Sequence, residues 1–262
     1  MKKIILTLFL SLILISDLLK ADPITSIFFD VEAIFQADSL RASNYVGKFD
    51  SIRYLAEVGH IPRQEDLFKQ LKPIKAVSTQ VTYNKNLEMP LIFSDWLSAK
   101  QSASKVSDSI EKYFKNKNIS DIEKKVLLSI VNMMLTSSSL TDIQYVSSKI
   151  ETLIGKLKRS GYKIYLVGNW AHISSLKSKF KDLFRLFSGV YVSSDLHLLK
   201  PYKDYYEKVL ELSDTQPDQA LWIETEQKFV SKAQPYGYKF ILYSHSYHED
   251  ITKNLHRFSV RI

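Results

Sequence analysis

The chain has 262 residues, 45% of them hydrophobic, and a formal net charge of +8, which indicates a folded protein with a sizeable core and excludes a disordered chain. Its lysines are scattered along the sequence, so we expect a solvated basic surface and no nucleic-acid partner. The complete lack of cysteine excludes a disulfide framework and a thiolate metal site.

The first 21 residues have the pattern of a secretory signal peptide. Two lysines precede the segment 4–15, which is apolar apart from one threonine and one serine. This segment is shorter than the ~20 apolar residues that a membrane-spanning helix needs. We therefore expect export to a periplasmic or extracellular location. Because Leu19 and Ala21 form a poor cleavage site, an uncleaved leader that anchors the protein is the alternative, and it is the only membrane contact expected.

A first strand is predicted at residues 24–29, and a long helix-rich stretch follows it. Apolar residues at three- and four-residue spacing predict amphipathic helices at 51–58, 64–71, 93–103, 107–116 and 120–135. Within the third of these, Trp96 is expected to pack inside this region, and contact of Asp95 and Trp96 with a substrate is the alternative. The serine-rich segment 137–142 is predicted as a linker that ends in a helix cap.

From about residue 141, helices and strands alternate. The pattern predicts helices at 143–157, 173–187, 202–212 and 226–233, and strands at 163–167, 189–192, 220–223 and 239–243. Strands separated by single helices pair in parallel through right-handed crossovers. Residues 22–40 and 142–262 are therefore predicted to form a doubly wound α/β core, with residues 41–141 inserted as a helical cap.

Four apolar segments of the predicted core each end in polar residues, and the carboxyl edge of an open α/β sheet is where active sites lie. The segments end at Asp30 to Glu32, Gly168-Asn169, Lys200-Pro201 and Glu224 to Glu226. In order and spacing they resemble the four motifs of the haloacid dehalogenase-like (HAD) superfamily, whose members are mostly magnesium-dependent phosphatases. The resemblance implies a Rossmann-like core with a helical cap, a Mg²⁺ cofactor and a small phosphorylated substrate.

The first motif, by this resemblance, makes Asp30 the nucleophile that forms an aspartyl-phosphate. Glu32 takes the place of the second aspartate, which protonates the leaving oxygen, and the backbone carbonyl at this position is a metal ligand in the family. Ala33 replaces a glycine of the family's motif. Because alanine has a Cβ, a positive φ at this position would be strained. The alternative is that Asp30 only caps the segment that follows it.

The second and third motifs supply the contacts to the phosphoryl group in the resemblance. Gly168 and Asn169 are the substrate-binding residues, although Gly168 stands where the family has a serine or threonine hydroxyl. Loss of one such donor lowers a rate by about 10²- to 10³-fold. Lys200 is the third catalytic residue, expected to neutralise the phosphoryl charge and to keep Asp30 ionised.

The fourth motif contributes Glu224, which joins Asp30 and Glu32 as the predicted magnesium ligands. The family's second acid is replaced by Thr225. The alternative is that Glu224 and Glu226 are only acids in the first turn of the next helix.

Two functions stay open from the sequence: a weak magnesium-dependent phosphomonoesterase acting through Asp30, and a catalytically degenerate protein with a binding or scaffold role in the cell envelope. Dehalogenation also stays open, although carbon–halogen displacement does not need the acid that Glu32 supplies. The hydrolase requires Asp30 and Glu224 to share a divalent ion. If a basic side chain fills the gap between these two acids, the hydrolase interpretation fails and only the predicted architecture remains.

Overall fold

The computed structural model describes residues 23–75, 81–245 and 251–262. The expected signal peptide lies outside these residues. Within the described ranges, no helix is both long enough and apolar enough to span a membrane.

The secondary structure alternates between short strands and helices along the chain. The strands are β1 (Ser26–Asp30), β2 (Phe35–Ala37), β3 (Tyr83–Asn84), β4 (Met89–Pro90), β5 (Gln144–Val146), β6 (Lys163–Gly168), β7 (Gly189–Val192), β8 (Ala220–Glu224) and β9 (Lys239–Leu242). The helices are α1 (Val31–Ile34), α2 (Ser39–Val46), α3 (Lys48–Val58), α4 (Gln64–Leu71), α5 (Leu91–Leu97), α6 (Ala103–Lys115), α7 (Asp121–Leu135), α8 (Ser137–Asp142), α9 (Ser148–Arg159), α10 (Ile173–Lys179), α11 (Lys181–Phe184), α12 (Ser193–Leu196), α13 (Lys203–Ser213), α14 (Gln227–Ala233) and α15 (Ile251–Arg257).

A five-stranded parallel sheet in the order β7-β6-β1-β8-β9 forms the centre of the molecule. The two strands β1 and β8 are buried along their whole length, as expected for central parallel strands with continuous apolar sequence. Side chains alternate between the two faces of a strand, so Phe28 and Phe29 enter two separate apolar clusters, one on each face. The predicted doubly wound α/β fold is confirmed.

The cap helices pack around α7, which contacts α2, α3, α6 and α8. Apolar side chains that the helical spacing placed on one face form a separate buried cluster here, including Phe93, Ile110, Phe114, Leu127 and Val131. The structure thus contains an apolar core in the inserted region, while the division at residues 41 and 141 stays a prediction.

Four predicted elements differ from the structure. The segment 137–142, predicted as a linker, is the helix α8, and the helix predicted from residue 143 begins only at Ser148. Its first residues form β5 instead, which pairs antiparallel with β2. The helix predicted at 93–103 is α5, which ends at Leu97, and the one predicted at 173–187 is interrupted at Phe180. Helical spacing does not reveal these features, because strand pairing joins distant residues and short apolar runs fit both periods.

Candidate active site and ligand cavity

Three of the predicted site residues meet at the carboxyl edge of the sheet. Asp30 and Glu224 end the neighbouring strands β1 and β8, and Lys200 lies in the segment before α13. The Lys200 Nζ donates to Asp30 Oδ2 and to Glu224 Oε1. The side chains of Lys200, Asp30 and Glu224 are only 1%, 6% and 2% exposed. The ammonium group therefore fills the gap between the two carboxylates.

Asn169 fixes the position of Lys200 through its amide group. Its Nδ2 donates to the Lys200 backbone oxygen at 3.0 Å, and the Lys200 backbone nitrogen donates to its Oδ1 at 2.9 Å. The ring of Phe229 packs against the same lysine, with its centroid 5.1 Å from Nζ. Both ends of the Asn169 amide are thus used to hold Lys200.

Asp30 has partners on both carboxylate oxygens. Its Oδ2 accepts from Lys200, and its Oδ1 accepts from the backbone N–H of Glu32 at 2.8 Å, which makes Asp30 the N-cap of α1. Ala33 lies inside this helix, is buried, and is not a positive-φ residue. The replacement of the family's glycine by Ala33 is therefore accommodated without backbone strain.

Glu32 faces the cavity and is accessible to solvent there. Burial among the surrounding protein atoms, followed by the nearby charges of Asp30 and Glu226, raises the pKa of Glu32 to about 7. The Thr225 hydroxyl lies 3.4 Å from Glu32 Oε2. The Glu32 backbone oxygen, the expected metal ligand, lies 2.9 Å from His245 Nε2.

Glu224 lies behind Lys200 and does not line the cavity. Burial raises the pKa of Glu224 to about 8, against the opposing effect of the Lys200 ammonium group. Burial by itself lowers the pKa of Lys200. The nearby acids Asp30 and Glu224 outweigh this effect and hold the pKa of Lys200 above its ordinary value. Glu224 Oε2 is buried and has no hydrogen-bond partner among the described residues.

A magnesium ion shared by Asp30, Glu32 and Glu224 does not fit this arrangement. The ion needs several oxygen ligands around one point in octahedral geometry, and the Lys200 ammonium lies between the two carboxylates. The unpaired Glu224 oxygen is shut off from the cavity, and the Glu32 carbonyl has His245 as its neighbour. The described part of the chain contains no group of three or more His, Cys, Asp or Glu side chains that could hold a metal.

Gly168 lies so close to Asp30 that a side chain at this position would be tightly packed and strained. Its φ is +150°, and a Cβ at this position would lie 3.0 Å from Asp30 Oδ2 and 3.3 Å from the Val31 backbone nitrogen. Its own N–H donates to the hydroxyl of Tyr205 at 2.8 Å. Neither the family's hydroxyl nor this backbone N–H is therefore offered to a ligand.

A cavity of about 770 Å³ extends from this edge of the sheet to the cap helices. Its sheet end is lined by Asp30, Glu32, Lys200, Glu226 and Lys228, whereas its wall toward the cap is mostly apolar. The apolar lining includes Val46, Phe68, Met89, Phe93, Trp96, Leu97, Ile130, Met133, Met134 and Leu140. The cavity is within the range of ~300–1,000 Å³ that is typical of small-molecule sites.

The sequence-based interpretation missed most of this lining. Met133 and Met134 follow one another in α7, and one residue of such a pair must leave the face that packs into the cap core. Two consecutive methionines in this helix were therefore the feature of the sequence that indicated a second apolar surface, the one that faces the cavity. Trp96 packs in the cap cluster, as expected, and also lines the cavity, whereas Asp95 does not line it.

The parallel sheet, the strand-end acids and lysine, and the helical insertion define an α/β protein with a HAD-type core. The sequence model of the haloacid dehalogenase-like hydrolase family matches residues 82–243, more than half of the chain. The chain belongs to the haloacid dehalogenase-like hydrolase family. A search of curated proteins gave no significant match.

Solved structures of the same fold resemble this chain at low sequence identity. A HAD-like family hydrolase from Porphyromonas gingivalis superposes with a TM-score of 0.55 at 16% identity, covering 92% of this chain and 100% of that one. A HAD family enzyme from Bacteroides thetaiotaomicron in complex with magnesium and inorganic phosphate gives 0.55 at 15% identity, covering 87% and 98%. A dehalogenase with an intermediate complex gives 0.52 at 14% identity, covering 86% and 87%. At such identities the likeness shows the fold.

Proposed function

We propose that this protein is a catalytically degenerate member of the family, which keeps the fold and binds a small molecule in the cavity beside Asp30. The observation that carries the proposal is the buried bridge from Lys200 to both Asp30 and Glu224. Both oxygens of Asp30 already accept hydrogen bonds inside the protein, from the Glu32 N–H and from Lys200, and this lowers the nucleophilicity of the carboxylate that would attack phosphorus.

The other motif residues support this proposal. The Gly168 N–H donates to Tyr205 and the Asn169 amide group donates to the Lys200 backbone, so neither of these contacts is directed to a phosphoryl oxygen. Thr225 replaces the second acid of the fourth motif. A phosphate monoester dianion placed beside Asp30, Glu32 and Glu226 would meet more carboxylates than cations. Together these features favour binding without turnover.

The test measures release of p-nitrophenol from p-nitrophenyl phosphate, with millimolar Mg²⁺ and separately with EDTA. We expect the same background rate from the wild type, from Asp30→Asn and from Asp38→Asn, a matched change at the cap of α2. Fluoroberyllate with Mg²⁺ should leave the melting temperature unchanged, because a ligand that does not bind the native state does not stabilise it. Turnover that Asp30→Asn abolishes and Asp38→Asn retains would overturn the proposal.

A weak phosphomonoesterase is the second candidate, and Glu32 is the specific observation in its favour. A carboxyl with a pKa of about 7 that faces a cavity is suited to general acid–base work at neutral pH. In this candidate Asp30 would attack phosphorus while Glu32 protonates the leaving oxygen, and Glu32 would then deprotonate the water that hydrolyses the aspartyl-phosphate. The rate would fall as pH rises above about 7, and Glu32→Gln would lower the rate and remove that dependence.

Whether magnesium is required is a question for this second candidate only. The Bacteroides thetaiotaomicron relative was crystallised with magnesium and phosphate, and this complex is the support for a magnesium ion in the second candidate. The side chains present here do not fit it, so any turnover should persist in EDTA. A phosphatase rate that requires Mg²⁺ would show that Lys200 leaves the gap between Asp30 and Glu224 in solution.

We also propose that the protein is exported, with the leader as its only membrane contact. The pattern of the first 21 residues supports this location. Mass measurement of the amino terminus after expression with cell fractionation tests it: export predicts a chain that starts near Asp22 in the soluble extracytoplasmic fraction. The full chain in the membrane fraction would instead indicate an uncleaved anchor.

A further inference from the structure

We infer that the cavity binds an amphipathic molecule with a hydrocarbon body and an uncharged polar head, the head lying at the carboxyl edge of the sheet. This inference rests on the proposed ligand-binding function and names its ligand class. It concerns recognition alone, so it holds whether or not Asp30 reacts.

The body of the ligand is indicated by the wall toward the cap. Two helices contribute much of it, with Phe93 and Trp96 from α5 and Ile130, Met133 and Met134 from α7. Apolar surface in a cavity of this size is stabilised when an apolar ligand removes it from water. Methionines adapt their shape to different apolar partners, which suits flexible hydrocarbon chains.

The head of the ligand is indicated by the charges at the sheet end. The cavity contacts three acids there, Asp30, Glu32 and Glu226, and two lysines. Both lysines are already paired, Lys200 with Asp30 and Glu224, and Lys228 with Glu226 at 2.5 Å. An anionic head would have to break one of these pairs and would lie beside several carboxylates, so a hydroxyl head is favoured.

A further cation among the described residues that line the cavity, Arg63, lies next to a cap helix and not among the side chains of the sheet end. It precedes α4 and lines the cavity with its neighbours Ile61 and Gln64. The charge pattern therefore differs between the two ends: paired lysines among acids at the sheet, and apolar side chains with one arginine at the cap. This asymmetry fixes the predicted orientation of the ligand.

The experiment uses the neutral fluorophore N-phenyl-1-naphthylamine with the full-length protein and follows its displacement by three competitors of equal chain length. These are 1-dodecanol, dodecanoate and dodecyl phosphate. We expect the probe to bind, and 1-dodecanol to displace it at a concentration at least about 10-fold lower than either anion. No probe binding, or displacement by dodecyl phosphate as good as by the alcohol, would overturn the inference.

Two pairs of variants locate the body and the head. Met134→Gln should weaken probe binding, whereas Leu128→Gln, a half-buried residue of the same helix that does not line the cavity, should not. Glu226→Gln removes one negative charge and releases Lys228, so dodecyl phosphate should compete better by about 3-fold or more while 1-dodecanol is unchanged. Equal effects of the two α7 variants on probe binding would contradict the position assigned to the ligand's body. An affinity for dodecyl phosphate that Glu226→Gln leaves unchanged would contradict the position assigned to its head.

The same displacement series on Asp30→Asn separates this inference from the proposed function. Phosphatase turnover that requires Asp30, together with preferential displacement by 1-dodecanol, would overturn the degenerate assignment and retain the ligand class. No turnover together with preference for dodecyl phosphate would retain the degenerate assignment and overturn the ligand class.

Discussion

The ammonium group of Lys200 and the carboxylate of Asp30 form an ion pair that is almost completely shielded from water, with side-chain exposures of 1% and 6%. Taking two such charges out of water costs several kcal/mol per ion, and mutual attraction offsets this only while both partners are present. Glu224 adds a second carboxylate to the same ammonium group. The predictions below follow from this buried triad of Asp30, Lys200 and Glu224.

Lys200→Met should lower the free energy of unfolding by about 3–5 kcal/mol, because it leaves the buried Asp30 carboxylate, with the acid Glu224 beside it, without a cation. Urea unfolding at neutral pH measures the change. The control is Lys203→Met, which removes an ion pair with Glu207 whose side chains are 57% and 55% exposed. Because water and salt screen such an exposed pair, its loss should change the stability little. Similar losses in the two variants would show that the triad is not formed in solution.

Lys200→Ala should create a response to magnesium that the wild type lacks. Removal of the ammonium group leaves Asp30 and Glu224 facing the vacated space, and paired carboxylates attract divalent cations. Millimolar Mg²⁺ should raise the melting temperature of this variant by several degrees, about 2–4 °C for each kcal/mol of binding. The wild type and Lys203→Ala should not respond. A wild-type shift as large as that of Lys200→Ala would place the ion outside the triad.

Stability should fall as the pH rises from about 5 to about 8. Burial raises the pKa of Glu224 to about 8, and the protein atoms and acidic side chains around Glu32, which opens on the cavity, raise its pKa to about 7. The folded state therefore holds protons that the unfolded chain releases near the ordinary pKa of 4.5. This stabilisation is complete below pH 4.5 and is lost as the pH rises through 7 to 8. Melting temperatures across this range measure it. Glu224→Gln should flatten the profile, and an unchanged slope would contradict the raised pKa.

Gly168→Ala should destabilise the protein more than Gly161→Ala does. Both glycines have positive φ, +150° and +91°, so both variants carry backbone strain of about 1–3 kcal/mol. Only the Cβ at Gly168 would contact Asp30 and Val31, whereas nothing lies within 4 Å of one at Gly161. Overpacking should add about 1–3 kcal/mol at Gly168, measured by urea unfolding. If both variants lose the same free energy of unfolding, Asp30 can move away from the added Cβ without destabilising the protein.

Local sequence patterns were sufficient to predict the parallel sheet and part of the candidate site. Central parallel strands are buried on both faces, so continuous apolar runs such as the one ending at Asp30 identify them without further information. Parallel strands also present their carboxyl ends at one edge, which predicts that Asp30 and Glu224 approach each other. The strand β5 was missed because its pairing with β2 depends on residues about a hundred positions away.

The amino-acid sequence by itself determined the fold class, the family and the sheet edge at which Asp30, Lys200 and Glu224 meet. This was possible because local stretches of sequence show the periodicity of burial and the order of the strands along the chain. Only the tertiary structure decided what those side chains do there. It places the lysine between the two acids, closes Gly168 against Asp30, and opens an apolar cavity beside them. Each of these outcomes depends on side chains from separate segments being within a few ångströms, a relationship that no local pattern encodes.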